Sequence, residues 1–193
     1  MSAVEPPARL KLHVGCGKRY IPGFVHIDQV RFPHVEYVRD IRDLSPFSDG
    51  CADLLYACQV LEYFDREEVA AVLAEWRRVL APGGVLRLSV PDFAVIARLY
   101  QAGLALEWFL GTIFGKIPDG RGGSVYHKTT YDEPSLRQVL ASNGFDRIER
   151  WDWRTTEHAQ VDDFSQAYFP HMEKDRGILW NLNVQARRAE RPW

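Results

Sequence analysis

The stretch LHVGCGKRYIPGFVHID, residues 12–28, constrains this chain more than any other. Residues 9–14 read as a short strand with Leu10, Leu12 and Val14 on one face. The strand runs straight into Gly15-Cys16-Gly17. Residues 25–28 read as a second strand, and it ends on Asp28, 11 residues after Gly17. Only Lys18 to Phe24 lie between. Seven extended residues span at most roughly 23–25 Å, while a strand of about five residues is already about 17 Å long. The chain can return to pair in parallel with at most a turn of helix, and Pro22-Gly23 argues against more. A parallel α/β sheet with a shortened first crossover is the expectation.

The remaining pattern alternates strand and helix. Residues 35–38 and 53–58 read as strands, the latter around Leu54, Leu55, Tyr56 and Ala57. Asp65 caps the clearest helix, with Glu68 three residues on in the manner of a capping box. Val69, Val72, Leu73, Trp76, Val79 and Leu80 form its apolar face, and Arg77 and Arg78 suit the carboxyl end of its dipole. Pro82-Gly83-Gly84 is expected to end the helix as a turn, before a strand over 85–90. Residues 93–101 look helical. Residues 104–114 are apolar with a broken period, and read as a lid, a core helix or the contact face of a homo-oligomer. Residues 115–123 read as a glycine-rich loop and 134–142 as a helix closed by Asn143-Gly144. Strands over 148–153 and 182–187 finish the pattern. Such alternation implies a mostly parallel, seven-stranded sheet with helices on both faces. It is expected to form one domain over residues 1–193, with 104–127 and 154–177 as insertions near the acceptor site. Ligands of these sheets bind at the carboxyl ends of the strands, near the switch point.

Composition narrows the function classes. A net charge of -2 gives no nucleic-acid footprint, and Arg187, Arg188 and Arg191 are too few to create one. No run approaches the roughly 18 apolar residues of a membrane helix, so no membrane insertion is expected. MSAVEPPARLKLHV lacks a basic leader followed by an apolar stretch, so no signal peptide is expected. Cys16, Cys51 and Cys58 are odd in number and lack metal-binding spacing. No metal is expected, and a reducing cytoplasm fits.

Glycines directly after the first strand let the backbone turn sharply and approach a ligand. A dinucleotide fingerprint needs a third glycine where Tyr20 stands, a full helix, and an acid about 20 residues on. Pyrophosphate also wants the amino end of a proper helix. A cofactor without phosphate fits better. S-adenosylmethionine offers ribose hydroxyls for Asp28 and an amino-acid tail for the glycine turn. The plainer alternatives are an ordinary turn and a strand-end cap.

Together these residues resemble the class I S-adenosylmethionine-dependent methyltransferases, in particular the type 11 group. LHVGCGKRYIPGFVHID is similar to the first motif of a compact subgroup. DIRDLSPFSDGCADLLYACQVLEYF is similar to its acidic loop and fourth strand, and EWRRVLAPGGVLRLSVPDF to its helix, turn and fifth strand. HKTTYDEPSLRQVLASNGF and DDFSQAYFPHMEKDRGILWNLNVQA resemble its later parts. The resemblance implies Gly15, Cys16 and Gly17 at the methionine end, Asp28 on the ribose, Asp40 and Ile41 at the adenine, and Gln59 and Val60 beside the sulfonium. It implies a saccharide-related acceptor. The family's usual histidines are replaced at positions 59 and 63 by Gln59 and Tyr63.

A hydroxyl acceptor calls for a general base. His127, after the glycine-rich loop in GGSVYHK, is the first candidate because histidine titrates in the right range. Tyr63 and Asp92 follow the fourth and fifth strands and come next, Asp92 serving equally as a helix cap. Tyr168 and His171 are candidates for shaping the acceptor pocket. Cys16 and His13 read as packed residues, and Trp151 and Trp153 as cover for one sheet face. Two rivals stand beside methyl transfer to a small-molecule or saccharide acceptor, which is expected at oxygen. One is a non-catalytic binding protein of the same fold. The other is a nicotinamide-dependent oxidoreductase or epimerase, disfavoured by Tyr20 and the short crossover.

Overall fold

A computed structural model describes residues 10–119, 122–171 and 173–190. The sequence before Leu10, on which the expectation of no signal peptide rests, and Arg191 lie outside the described residues. Seven strands make one sheet: β1 (Leu10–Val14), β2 (Val25–Asp28), β3 (Tyr37–Val38), β4 (Ala52–Cys58), β5 (Leu80–Pro91), β6 (Phe145–Arg150) and β7 (Asn181–Arg188). Their spatial order is β3-β2-β1-β4-β5-β7-β6. The first five neighbours pair in parallel. β7 runs antiparallel between β5 and β6. The order reverses between β1 and β4, and ligands of such sheets bind beyond the carboxyl ends of the strands at this switch point.

The short crossover is as the chain length dictates. Residues 15–24 contain turns and no helix. Ile21 and Phe24 fold back onto the sheet and are buried.

Alternation along the strands separates two faces. Leu12, Leu55, Leu88 and Val184 point into the larger core, where α1 (Glu68–Val79) and α4 (Glu133–Ala141) pack. α1 begins as expected: Asp65 accepts hydrogen bonds from the Glu67 and Glu68 amides, and the Glu68 carboxylate accepts one from the Asp65 amide. Its stripe of Val69, Val72, Leu73, Trp76 and Val79 is buried. The Trp76 indole is 0% exposed and donates to the Ile41 carbonyl at 3.0 Å, tying α1 to the loop before β4. α4 is fixed by Asp132, which accepts from the Ser135 amide at 2.9 Å.

The second face carries Leu54, Tyr56, Ile21 and Phe24. Its cover is lighter than helices on both faces would give: residues 18–24 and 151–166 lie across it, with three-residue 3-10 turns at Trp153–Thr155 and Phe164–Gln166. Tyr56 donates to Asp163 at 2.6 Å, and the Trp151 indole donates to the Leu88 carbonyl at 3.0 Å, pinning that cover down. Trp151 packs on this face as expected. Trp153 instead sits in the first 3-10 turn against Arg154 and Tyr168.

Several boundaries differ from the sequence reading. β5 starts at Leu80, directly after α1, so Pro82-Gly83-Gly84 is a strand irregularity at the pairing with β4, not a separate turn. β6 covers Phe145–Arg150 and ends before the tryptophans, because Trp151 leaves the ladder to cover the second face. Residues 104–114 resolve into α3 (Glu107–Phe114), which follows α2 (Phe93–Gln101). Ile117–Pro118, within the glycine-rich loop, pair antiparallel with Ser124–Val125 just after it. A second hairpin pairs Tyr168–Phe169 with Ile178–Leu179.

Candidate functional site

The first turn and the end of β4 meet at the switch point. Gly15 has φ +64°, and a Cβ there would lie 2.6 Å from Val60 Cγ2. A side chain is excluded twice over, by the left-handed backbone and by the contact. The Gly15 and Cys16 amides donate to the Ile27 carbonyl, and the Gly17 amide donates to the Asp28 carboxylate at 2.8 Å. The turn's amides are thus spent on β2. What it can offer a ligand is carbonyl oxygen, an acceptor suited to an ammonium group.

Asp28 is 8% exposed at the end of β2. One carboxylate oxygen takes the Gly17 amide and the other the Val30 amide, both at 2.8 Å. A carboxylate has about four lone-pair sites, so each oxygen can still accept one hydroxyl. The two backbone bonds also hold the group still. Cys16 is 3% exposed, and burial and the neighbouring Asp28 charge push its thiol up to about 12. It packs and does not act as a nucleophile at neutral pH. Asp40 is engaged by Arg42 through both carboxylate oxygens, the shortest contact being 2.6 Å. Ile41 is half-buried against the main core, and its carbonyl takes the Trp76 indole.

Gln59 has φ 57°, a conformation rare for a residue with a side chain. Its amide donates to the Ser89 carbonyl at 2.8 Å, which holds the strained residue in place. Its side-chain Nε2 is buried without a hydrogen-bond partner among the described residues. A buried donor left open beside strained backbone is a combination that recurs at functional sites. Val60, buried, closes the wall next to it.

Of the three base candidates, His127 is sealed in. Its side chain is 4% exposed, Nδ1 lies 2.9 Å from the Thr112 carbonyl, and the ring abuts Gly115. Burial holds its pKa below the usual histidine value. Bonding at Nδ1 makes that nitrogen the proton carrier, which leaves Nε2 facing Glu62 Oε1 at 3.8 Å. Tyr63 stacks edge-on against the same ring, with centroids 4.6 Å apart, and burial raises its pKa. Asp92 is placed differently. It caps α2 through the Ala94 amide, and it lines an open cavity of about 340 Å³ together with Arg98, Arg150, Ile178 and Asn181. Burial raises its pKa above the ordinary aspartate value. Tyr168 sits on the hairpin strand paired with the Ile178–Leu179 wall of that cavity. Its hydroxyl accepts from Arg154 at 3.1 Å and lies 3.3 Å from the Trp153 indole. His171 is exposed in the connection between the two strands of that hairpin. The structure thus brings Gly15, Gly17, Asp28, Gln59 and Val60 to the neighbouring carboxyl ends of β1, β2 and β4, sets Asp92 one strand over, and buries the His127 side chain.

Sequence reasoning missed Glu62, Arg98, Arg150 and Asn181. Glu62 is 0% exposed, with no hydrogen bond of ordinary geometry to either carboxyl oxygen among the described residues, and burial pushes it up to about 8. An acid between Leu61 and Tyr63 was the available signal. The other three converge only through tertiary structure. Among the described residues no cluster of three or more His, Cys, Asp or Glu could hold a metal, and no helix is long and apolar enough to cross a membrane.

The strand order defines the fold: it is the Rossmann-like fold of the class I S-adenosylmethionine-dependent methyltransferases. Residues 16–88 match the family described as "Methyltransferase domain". A curated relative, an uncharacterized methyltransferase of Synechocystis sp., is 24% identical over 123 residues, and the match spans 58% of either chain. A solved S-adenosylmethionine-dependent methyltransferase of Methanosarcina mazei superposes with a TM-score of 0.56 at 18% identity, covering 93% of this chain and 92% of that one. The 1,6-didemethyltoxoflavin N1-methyltransferase of Burkholderia thailandensis, solved with S-adenosylhomocysteine, gives 0.50 at 14% identity, covering 94% and 72%.

Proposed function

We propose that the chain is an S-adenosylmethionine-dependent methyltransferase acting on a small, saccharide-related acceptor at oxygen. The observation that carries this reading is Asp28: a fixed, nearly buried carboxylate with spare acceptor capacity at the switch point. The residues fit the cofactor's parts. Asp28 would take the ribose hydroxyls, the carbonyls of the 15–17 turn the ammonium, and Gln59 Nε2 a carboxylate oxygen. Asp40 and Ile41 remain the candidates for the adenine end.

When bound, S-adenosylmethionine supplies a methyl group already activated on a sulfonium. The protein's part is alignment and exclusion of water, and such positioning can remove ~7–11 kcal/mol of barrier. Val60 walls the crevice, and the strained Gln59 fixes its floor. Oxygen is favoured over nitrogen because a carboxyl of raised pKa lines the acceptor cavity. A hydroxyl has a proton to lose, whereas a neutral amine needs no base to attack. Asp92 is the proposed base: Oδ1 is held by the Ala94 amide, leaving Oδ2 to accept the proton. His127 is too enclosed for that task and serves to anchor the 3-10 turn Leu61–Tyr63.

A turnover assay that detects S-adenosylhomocysteine across a panel of neutral and acidic sugars tests the reading. Asp92→Asn keeps a good helix cap. It is expected to lower the rate by about 10²–10⁴-fold with cofactor binding intact. An undiminished rate would remove Asp92 from the chemistry. Binding of cofactor without turnover on any acceptor would favour a non-catalytic role.

A further inference from the structure

The cavity beside Asp92 carries two kinds of polar group that the proposed chemistry does not use. The first is Asn181. It is 2% exposed, its Nδ2 donates to the Ser89 hydroxyl at 3.0 Å, and its Oδ1 is buried with no partner among the described residues. A buried amide oxygen with nothing to accept wants a donor, and a ligand hydroxyl is one. The second is Arg98. It lies six residues after Asp92, and no hydrogen bond or ion pair to its guanidinium is found among the described residues. Arg150 also lines the cavity, but it is paired with Glu133 at 2.7 Å, a carboxylate that Arg137 shares, and Asp92 lies 3.9 Å away. Arg98 is therefore the uncommitted cation of the site.

α2 fixes the spacing. At 1.5 Å per residue, the six residues from Asp92 to Arg98 advance about 9 Å along the helix. Ala94, at i−4 from Arg98, lies on the same face and keeps the wall low between them. Ile178 and Leu179 supply an apolar side. The cavity thus offers hydrogen-bond acceptors at one end, a cation at the other, and about one sugar ring between. At about 340 Å³ it is at the small end of the range for small-molecule sites.

We infer that the acceptor is anionic: a hydroxylated small molecule whose reacting hydroxyl meets Asp92 and Asn181 and whose carboxylate or phosphate, about one ring away, pairs with Arg98. This assigns a substrate class to the site of the proposed methyltransferase and rests on that reading. Arg98 becomes its specificity-determining residue, since its guanidinium can pair with either anion through two parallel bonds.

The test uses D-glucuronate, D-glucose 6-phosphate and the neutral methyl glucoside, titrated separately onto the full chain and followed by ligand-observed NMR. S-adenosylhomocysteine is titrated in parallel by calorimetry. One or both anions are expected to bind at least about tenfold tighter than the neutral sugar, a gap of roughly one charge-assisted hydrogen bond. The arm that binds identifies carboxylate or phosphate. Arg98→Gln, a change at an exposed position, is expected to weaken the anion by about 10- to 100-fold and leave the neutral sugar unchanged. Equal binding of all three, absence of anion binding, or an anion indifferent to Arg98→Gln would overturn the inference. Failure of S-adenosylhomocysteine alone, with the anion still bound through Arg98, would instead remove the methyl-transfer reading and leave the anion site standing.

Discussion

Glu62 keeps its proton in a place where glutamate ordinarily loses it. The group is fully buried and rises from about 4.5 to about 8, burial being the main cause, with the amides of Glu62 and Val60 opposing it. The unfolded chain releases this proton near pH 4.5, the folded chain near 8. Stability therefore falls as pH rises between those values and levels off above. At pH 7 the cost is about 3 kcal/mol, at roughly 1.36 kcal/mol per unit. Glu62→Gln is expected to raise the urea midpoint at pH 7 and flatten that decline; an unchanged or lower midpoint would show the acid is not desolvated as described. Gly15 makes a second residue-scale prediction. Gly15→Ala is expected to cost at least ~1–2 kcal/mol for its left-handed backbone alone. Adding Val60→Ala removes the 2.6 Å contact, so the double variant is expected to lose less than the two single losses combined.

At the scale of elements, the sheet's second face sets the acid limit. His13, His26 and His158 are buried there, and desolvation lowers the pKa of each. Each prefers its charged form in the unfolded chain. Their stabilising share is present above about pH 6.5 and is lost as pH falls toward their depressed folded values. Glu36, bonded to His26 at 3.2 Å, offsets part of this for that one ring. His158→Phe keeps a ring against Tyr56, 4.6 Å between centroids, and cannot titrate. It is expected to shrink the loss in urea midpoint between pH 7 and 5, and an unaltered slope would contradict the assignment. This face was also the least legible part of the sequence. Alternation gave away the strands, the Asp65 cap gave away the start of α1 and Asn143-Gly144 the end of α4, because those signals are local. That residues 151–166 replace helices on this face depends on Trp151 leaving β6 for the Leu88 carbonyl, a long-range choice with no local mark. Among the candidate site residues, Gly15 and Asp28 were legible from their positions at strand ends, and Gln59 only through the family resemblance. His127 was misleading, since a histidine after a glycine-rich loop looks free, while here the loop folds so that Gly115 packs onto its ring.

For the molecule as a whole, the missing first crossover helix decides which cofactor can be held. Without a helix after β1 there is no helix amino end for a pyrophosphate. NAD is therefore expected to give no saturable heat in calorimetry. The most direct measurement is calorimetric titration of S-adenosylhomocysteine onto the unaltered chain, Asp28→Asn and Asp28→Ala. The unaltered protein is expected to bind, and each variant to bind about 10- to 100-fold more weakly, as the loss of hydrogen bonds to a charged group implies. Equal affinity in all three proteins, or no binding by the unaltered one, would contradict the role given to Asp28.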